Sequence, residues 1–412
     1  MKKISLFIIL LSIFIIGAGC VSAAELDNSI SLRGADQIDE IQNENIESDV
    51  LEITQKPGTF AELNQTINSN DDDTIYLTKD YKHESPDWEK DYSGDLRFYD
   101  GIVINRALTI YGNGHTIDGD NSSRLFNIKH TGVIFHDIIF KNGFSYGDGG
   151  AISTDNPYEI NYTAINCTFK DSMAEWGGAM LGGHAINSTF INNYANRDGG
   201  AMLDGKATNC IFKNNRASCG GAMAASCSCH WNFKPMMTAE NCVFENNTAL
   251  HYGGAVYDIC AKNCVFNENE ALCGGAMYCT SLAYGLAASN STFSNNYAKE
   301  NGGAIYIKGG NWYRELGNKN YYVLVENCEF KDNAAKENGG AIFTEDKAED
   351  SKIKNCIFEN NPDNYDKELI NKYEELWKKA QEKAKEELGD KRIVPTIIKG
   401  TDKKLPLVEI NH

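Results

Sequence analysis

The chain has 412 residues and a formal net charge of −18, and no Lys/Arg-rich block stands against that acidity. A phosphate-gripping surface is therefore excluded, and nucleic acid with it, whereas the acidity itself bears on solubility and leaves the fold open. Thirty-seven glycines against seven prolines point to a chain of many tight turns.

Residues 1–23 read as a secretory signal: Lys2 and Lys3, an apolar run from Ile4 to Ile16, then Val21-Ser22-Ala23 as a cleavage pattern. Its removal takes away two lysines and no acid, which moves the charge from −18 to −20. An exported, surface-associated or secreted protein with no transmembrane helix after processing is expected. Residues 24–55 are acidic and poor in aromatics, a disordered leader. The folded part begins at residue 56. Thr59 and Glu62 have the spacing of a capping box, and Phe60, Leu63 and Ile67 share one helical face, so a short helix is predicted, plugging the open end of the strand-rich region beyond it. Thr74-Ile-Tyr-Leu77, Gly101-Ile-Val-Ile104 and Leu108-Thr-Ile-Tyr111 are short alternating strands.

Between Gly149 and Phe358 one unit recurs eight times: Gly-Gly-Ala-(Met/Ile/Val), then Asn-(Cys/Ser)-x-Phe. A fixed repeat of this kind is a solenoid. Each repeat asparagine lies 11 or 12 residues before the next Gly-Gly pair, while the distance from Gly-Gly to Asn runs 17, 10, 10, 21, 10, 16, 25 and 16. All length variation therefore belongs to one corner. A unit of about 21 residues is too short for a strand and a crossover helix. Three short strands per unit fit, which gives a right-handed parallel β-helix of ~10 coils spaced about 4.8 Å apart over residues 56–361. Cysteine and phenylalanine, two apart, face inward, and the residue between them meets solvent. The Gly-Gly pair suits a turn that needs positive φ or close approach, and stacked repeat asparagines can bond one another from coil to coil. Residues 362–389 become an amphipathic C-terminal helix with Leu369, Tyr373, Leu376 and Trp377 on one side, read as a second cap; 390–412 form a tail.

These residues resemble the repeat of polymorphic outer membrane proteins and of the adhesin-like β-helix surface proteins of methanogenic archaea, over roughly residues 59–361. Phe-x-x-Asn is intact seven times, from Phe190–Asn193 to Phe358–Asn361, and Gly101 to Ile128 is similar to the opening coils of the archaeal group. The resemblance implies a pectin-lyase-like right-handed β-helix on a cell surface, acting in adhesion. With no C-terminal β-barrel and no immunoglobulin-like stalk, an autotransporter and a long reach are not expected.

Six cysteines share the inward repeat position, where Ser188 and Ser291 substitute in two coils, so they read as core thiols. Cys219, Cys227, Cys229, Cys260, Cys273 and Cys279 cluster in three consecutive coils. Equal offsets from Gly-Gly place Cys227 and Cys260 as a candidate disulfide. Free thiols and a soft-metal site at Cys227-Ser-Cys229-His230 remain alternatives, and no metal or cofactor is expected. The insertions carry the candidate ligand-binding aromatics: Tyr158 and Tyr162 in the first, Trp231 and Phe233 in the second, Tyr284 in the third, and Trp312, Tyr313, Tyr321 and Tyr322 in the longest. Rings on one side of a repeat suit sugars or a protein partner on another cell or the envelope. They also suit small satellite cores under their own loops. No catalytic residue is expected. The alternative is a polysaccharide lyase or glycoside hydrolase, for which Asp204 and Asp258, both five residues beyond their Gly-Gly and two coils apart, are the candidate acids. A structural envelope component is the third reading.

Overall fold

A computed structural model describes residues 56–69, 72–84, 98–226, 237–280, 285–308, 323–345 and 351–362, all within the unit Thr54–His412. The signal, the leader, the C-terminal helix and the tail lie outside the described residues. So do Cys227, Trp231, Phe233, Tyr284, Trp312, Tyr313, Tyr321 and Tyr322.

The chain is a right-handed parallel β-helix. One coil shows the rule. From Gly199 the path runs through Met202–Leu203, Lys206–Thr208, Ile211–Lys213 and Arg216–Cys219 before Gly220 starts the next coil. Stacking these segments yields four parallel sheets, here S1 to S4 in that order, with ten, eleven, twelve and seven strands among the described residues. Four segments per coil, rather than three, is the departure from expectation. The extra sheet is built of strands as short as Met173–Ala174, whose small inward alanines leave no hydrophobic alternation long enough to read.

The corners are single residues in the left-handed region: Asp204 (φ 54°), Asn209 (φ 55°) and Asn214 (φ 56°) turn S1 into S2, S2 into S3 and S3 into S4. Asparagine and aspartate tolerate this conformation because their short polar side chains bond locally. At the fourth corner the two glycines have different duties. Gly220 sits at φ 61°, whereas a Cβ on Gly221 would run into the carbonyl of Gly254 in the next coil. One glycine makes the turn and the other lets the coils close.

The interior is layered. Phe169, Phe190, Phe212, Phe244, Phe266, Phe293 and Phe330 stack along S3 with centroids 4.7–4.9 Å apart, fully buried. Cys167, Cys210, Cys242, Cys264 and Cys328 lie beside them, buried as expected, while Ile211 and Val265 between each pair are exposed. Next to the rings runs a buried ladder of Asn193, Asn215, Asn247, Asn269, Asn296 and Asn333. Each amide donates to the next asparagine's Oδ1 and to the phenylalanine carbonyl of the preceding coil, as Asn215 does to Asn247 and Phe190, both at 3.0 Å. The repeat asparagines form a second, exposed ladder, with Asn209 donating to Asn187 at 3.0 Å and Asn263 to Asn241 at 3.0 Å.

At the N-terminal end the helix Phe60–Asn68 closes the first coils. Thr59 Oγ1 accepts from the Glu62 N–H and Glu62 Oε2 from the Thr59 N–H, both at 3.2 Å, and Phe60, Leu63 and Ile67 are buried. The predicted capping box and plug are both present.

Candidate functional site

In the repeat coils from Gly149 onward the long connections leave one corner. Residues 155–161, 225–237, 280–284, 308–322 and 345–351 all join an S1 strand to the following S2 strand. The two aromatics of the first insertion behave differently there. Tyr158 is half-buried, and its hydroxyl donates to Asp204 Oδ2 at 2.9 Å and lies 2.9 Å from Ser226 Oγ. Tyr162 is only 1 % exposed and donates to the Leu181 carbonyl at 2.9 Å. It is withdrawn from the candidate ligand surface. It opens the strand Tyr162–Ile165, and alternation with Ala164 turns it inward, where Gly183 leaves room for its ring.

Asp204 and Asp258 do one job twice. Asp204 accepts from the Ser226 N–H at 2.7 Å and the Ser226 hydroxyl at 2.7 Å; Asp258 accepts from Thr280 in the same way at 2.6 Å and 2.8 Å. Each carboxylate thus clasps the next coil. The signal was a hydroxyl residue six positions beyond Gly-Gly in the coil after each aspartate. Burial pushes the Asp258 carboxyl up to about 6, against 3.8 ordinarily. The folded state therefore binds more protons between those values, and stability falls as pH rises through that window, the full cost standing above about 6. Asp258→Asn keeps the turn preference and removes the buried charge. It is expected to unfold with about 1–2 kcal/mol more free energy than wild type at alkaline pH, the gain vanishing in acid. Denaturant midpoints at the two pH extremes check this, and a difference that does not vary with pH sinks it.

From Leu181 onward the outward row of S1 is largely covered, against the expectation for an outward row. Leu181, Leu203, Ala224, Tyr257, Tyr278, Tyr306 and Phe343 are in register along it. Trp176 packs on the leucines, with the Arg197 guanidinium 5.3 Å over its ring. Tyr252 and Cys273 pack on the tyrosines, and the Tyr306 hydroxyl donates to Glu345 at 2.6 Å. Trp176, Tyr252 and Cys273, each the residue before its Gly-Gly, pack over this face, and Tyr278 and Tyr306 are 3 % and 8 % exposed. The spacing of four from Gly-Gly to each ring was the available signal.

Cys260 carries a free thiol, and the residue beside it in the preceding coil is Thr238. Cys227, its candidate disulfide partner, lies outside the described residues. Burial pushes the thiols of Cys167, Cys219, Cys273 and Cys328 up to about 12 and that of Cys260 to about 11, so they are protonated at neutral pH and poor nucleophiles.

Residues 239–368 match the family model described as a right handed beta helix region, and residues 54–179 match that of a pectate lyase-like adhesive domain. No curated protein matches. Among solved structures, the A-module of mannuronan C-5 epimerase AlgE4 from Azotobacter vinelandii is 12 % identical with a TM-score of 0.38, over 74 % of this chain and 93 % of that one. The AlgE6 A-module of the same organism is 11 % identical with a TM-score of 0.33, over 71 % and 92 %. Among the described residues no helix is long and apolar enough to cross a membrane. A β-helix with an adhesive-type N-terminal region fits a surface or polysaccharide-related protein.

Proposed function

We propose that this is an exported, adhesin-like surface protein of the polymorphic-outer-membrane-repeat and archaeal kind, which binds a glycan or protein ligand through its inserted loops. The observation that supports this is that in the repeat coils the long connections, whose sequences carry the aromatics, all begin and end at the S1–S2 corner. The adhesive-domain match over residues 54–179 points the same way. The enzyme reading has less to draw on, since Asp204 and Asp258 are engaged as coil clasps.

A glycan array with the purified mature chain tests the proposal, paired with the double variant Trp231→Ala and Trp312→Ala. Loss of two aromatic anchors is expected to weaken binding by about tenfold or more. Undiminished binding by the double variant would rule out the loops as the site.

A further inference from the structure

We propose a second binding surface away from the inserted loops: the outward face of S2 in the first five coils, as a platform for a neutral, hydroxyl-rich polysaccharide. Two parallel rows make up this face. One runs Tyr76, Tyr111, His136, Ile165, Ile186, and the register pairs each with the next. The other runs Thr74, Thr109, Ile134, Thr163, His184 on the same strands. None of the ten carries a fixed charge, in a chain whose residues are 23 % charged.

Charge enters beyond these coils. The same two rows continue with Lys206, Glu240, Lys262, Glu326 and Lys354 among uncharged residues such as Thr208 and Ser289. The neighbouring sheet S3 in the first coils carries Lys82, Asp118, Lys141 and Lys170 on its outward row. The S2 face is thus uncharged beside a charged S3 face, while the outward S1 row of these coils, Val103, Asn127 and Ser153, is also uncharged but carries no ring. Four of the five S2 strands of this platform, from Thr74–Tyr76 to Tyr162–Ile165, lie within the residues that match the adhesive-domain family.

The chemistry of the face fixes the occupant. Tyr76, Tyr111 and His136 stack with centroids 5.0 and 4.7 Å apart and planes 11° and 13° from parallel, and Tyr76 at the end is 61 % exposed. The rings are held rigid before any ligand arrives, so little side-chain entropy remains to be lost. Threonine and tyrosine hydroxyls and two imidazoles share the face with three isoleucines at a strand spacing of about 4.8 Å. Such a face offers hydrogen bonds and apolar contact together, as a sugar chain does, and gives a charged polymer nothing to pair with. A flat face also suits an extended chain better than a globular partner, which needs a central pocket for its anchors.

The test is depletion of the mature chain from solution by insoluble cellulose, chitin and xylan at low and high salt. Ile134→Glu and Thr163→Lys place opposite charges on the face, at half-exposed positions that leave the interior alone. Retention on at least one polymer is expected, insensitive to salt and weakened about tenfold or more by both variants, since either charge must be desolvated. The double variant Trp231→Ala and Trp312→Ala should retain wild-type binding here, which separates this surface from the loops. The proposal falls if wild type is retained on none of the three polymers, if salt releases it, or if both face variants bind like wild type. It falls equally if only one sign of charge matters, or if the variants instead abolish a self-association seen in sedimentation.

Discussion

Asn247→Ala is expected to lower the unfolding free energy by about 3–5 kcal/mol, a loss carried by unsatisfied polar groups more than by volume. Asn247 is 0 % exposed. Its Oδ1 accepts from the Asn215 N–H and from Asn215 Nδ2, both at 3.0 Å, while its own Nδ2 donates to the Phe212 carbonyl at 2.9 Å and to Asn269 Oδ1 at 3.0 Å. Truncation takes the partner from a buried N–H, a buried amide and a buried carbonyl at once, with no water to replace it. Each such group costs about 1–3 kcal/mol, and the neighbouring amides relax only in part. Asn247→Asp sharpens the point. A carboxylate keeps both acceptor roles and loses both donor roles, so it faces the Phe212 carbonyl and Asn269 Oδ1 as a buried negative charge. Aspartate should therefore be worse than alanine at neutral pH and approach it in acid, where the protonated form regains one donor. Circular dichroism melts of the three proteins decide it. If alanine costs less than about 1 kcal/mol, the ladder is ornament on a structure held by the phenylalanines.

The difference between what the chain disclosed in advance and what it concealed lies in the range of the interactions. Alternation within a strand is local, so the inward Cys and Phe around Ile211 and the exposed residue between them are readable at once. The helix plug is readable for the same reason, since Thr59 and Glu62 are three residues apart. Contacts between coils are different, because the partner is more than twenty residues away and an insertion can move it. Cys260 has Thr238 as its neighbour in the preceding coil, a pairing that no local pattern names. Asp204 and Asp258 read as free acids because their clasps, Ser226 and Thr280, belong to the next coil. Tyr162 reads as a loop residue because the start of its strand is set by pairing with Val133, which no local pattern announces. The outward stripe from Leu181 to Phe343 is hidden by a default: outward residues of a solenoid are expected to be wet, and Trp176, Tyr252 and Cys273 pack over these.

That corner supports the second large effect. Gly221→Ala is expected to cost about 4 kcal/mol or more, whereas Gly114→Ala should cost about 1 kcal/mol, although only the second glycine has a left-handed backbone. Gly114 has φ 81° and nothing within 4 Å of the added methyl, so its penalty is conformational alone. Gly221 needs no special φ, but its methyl would press on the Gly254 carbonyl of the next coil and on the Thr248 carbonyl 2.6 Å away. Both obstacles are backbone atoms held in the stack, with Gly221 N–H donating to the Gly253 carbonyl at 3.1 Å and Thr248 N–H to Asn215 at 2.9 Å. Neither can turn aside as a side chain would. The coils must part, and parting them stretches the Phe212 to Phe244 stack and the Asn215 to Asn247 bond across the same gap. In a solenoid stability is summed over neighbouring interfaces, so a breach at one interface separates the halves on either side. Hydrogen exchange on Gly221→Ala should therefore show lost protection in the coils flanking the substitution and near-native protection in the first coils. Uniform loss throughout would mean that the rod unfolds as one unit, and an unchanged melt would mean that the coils do not need the close approach that the second glycine provides.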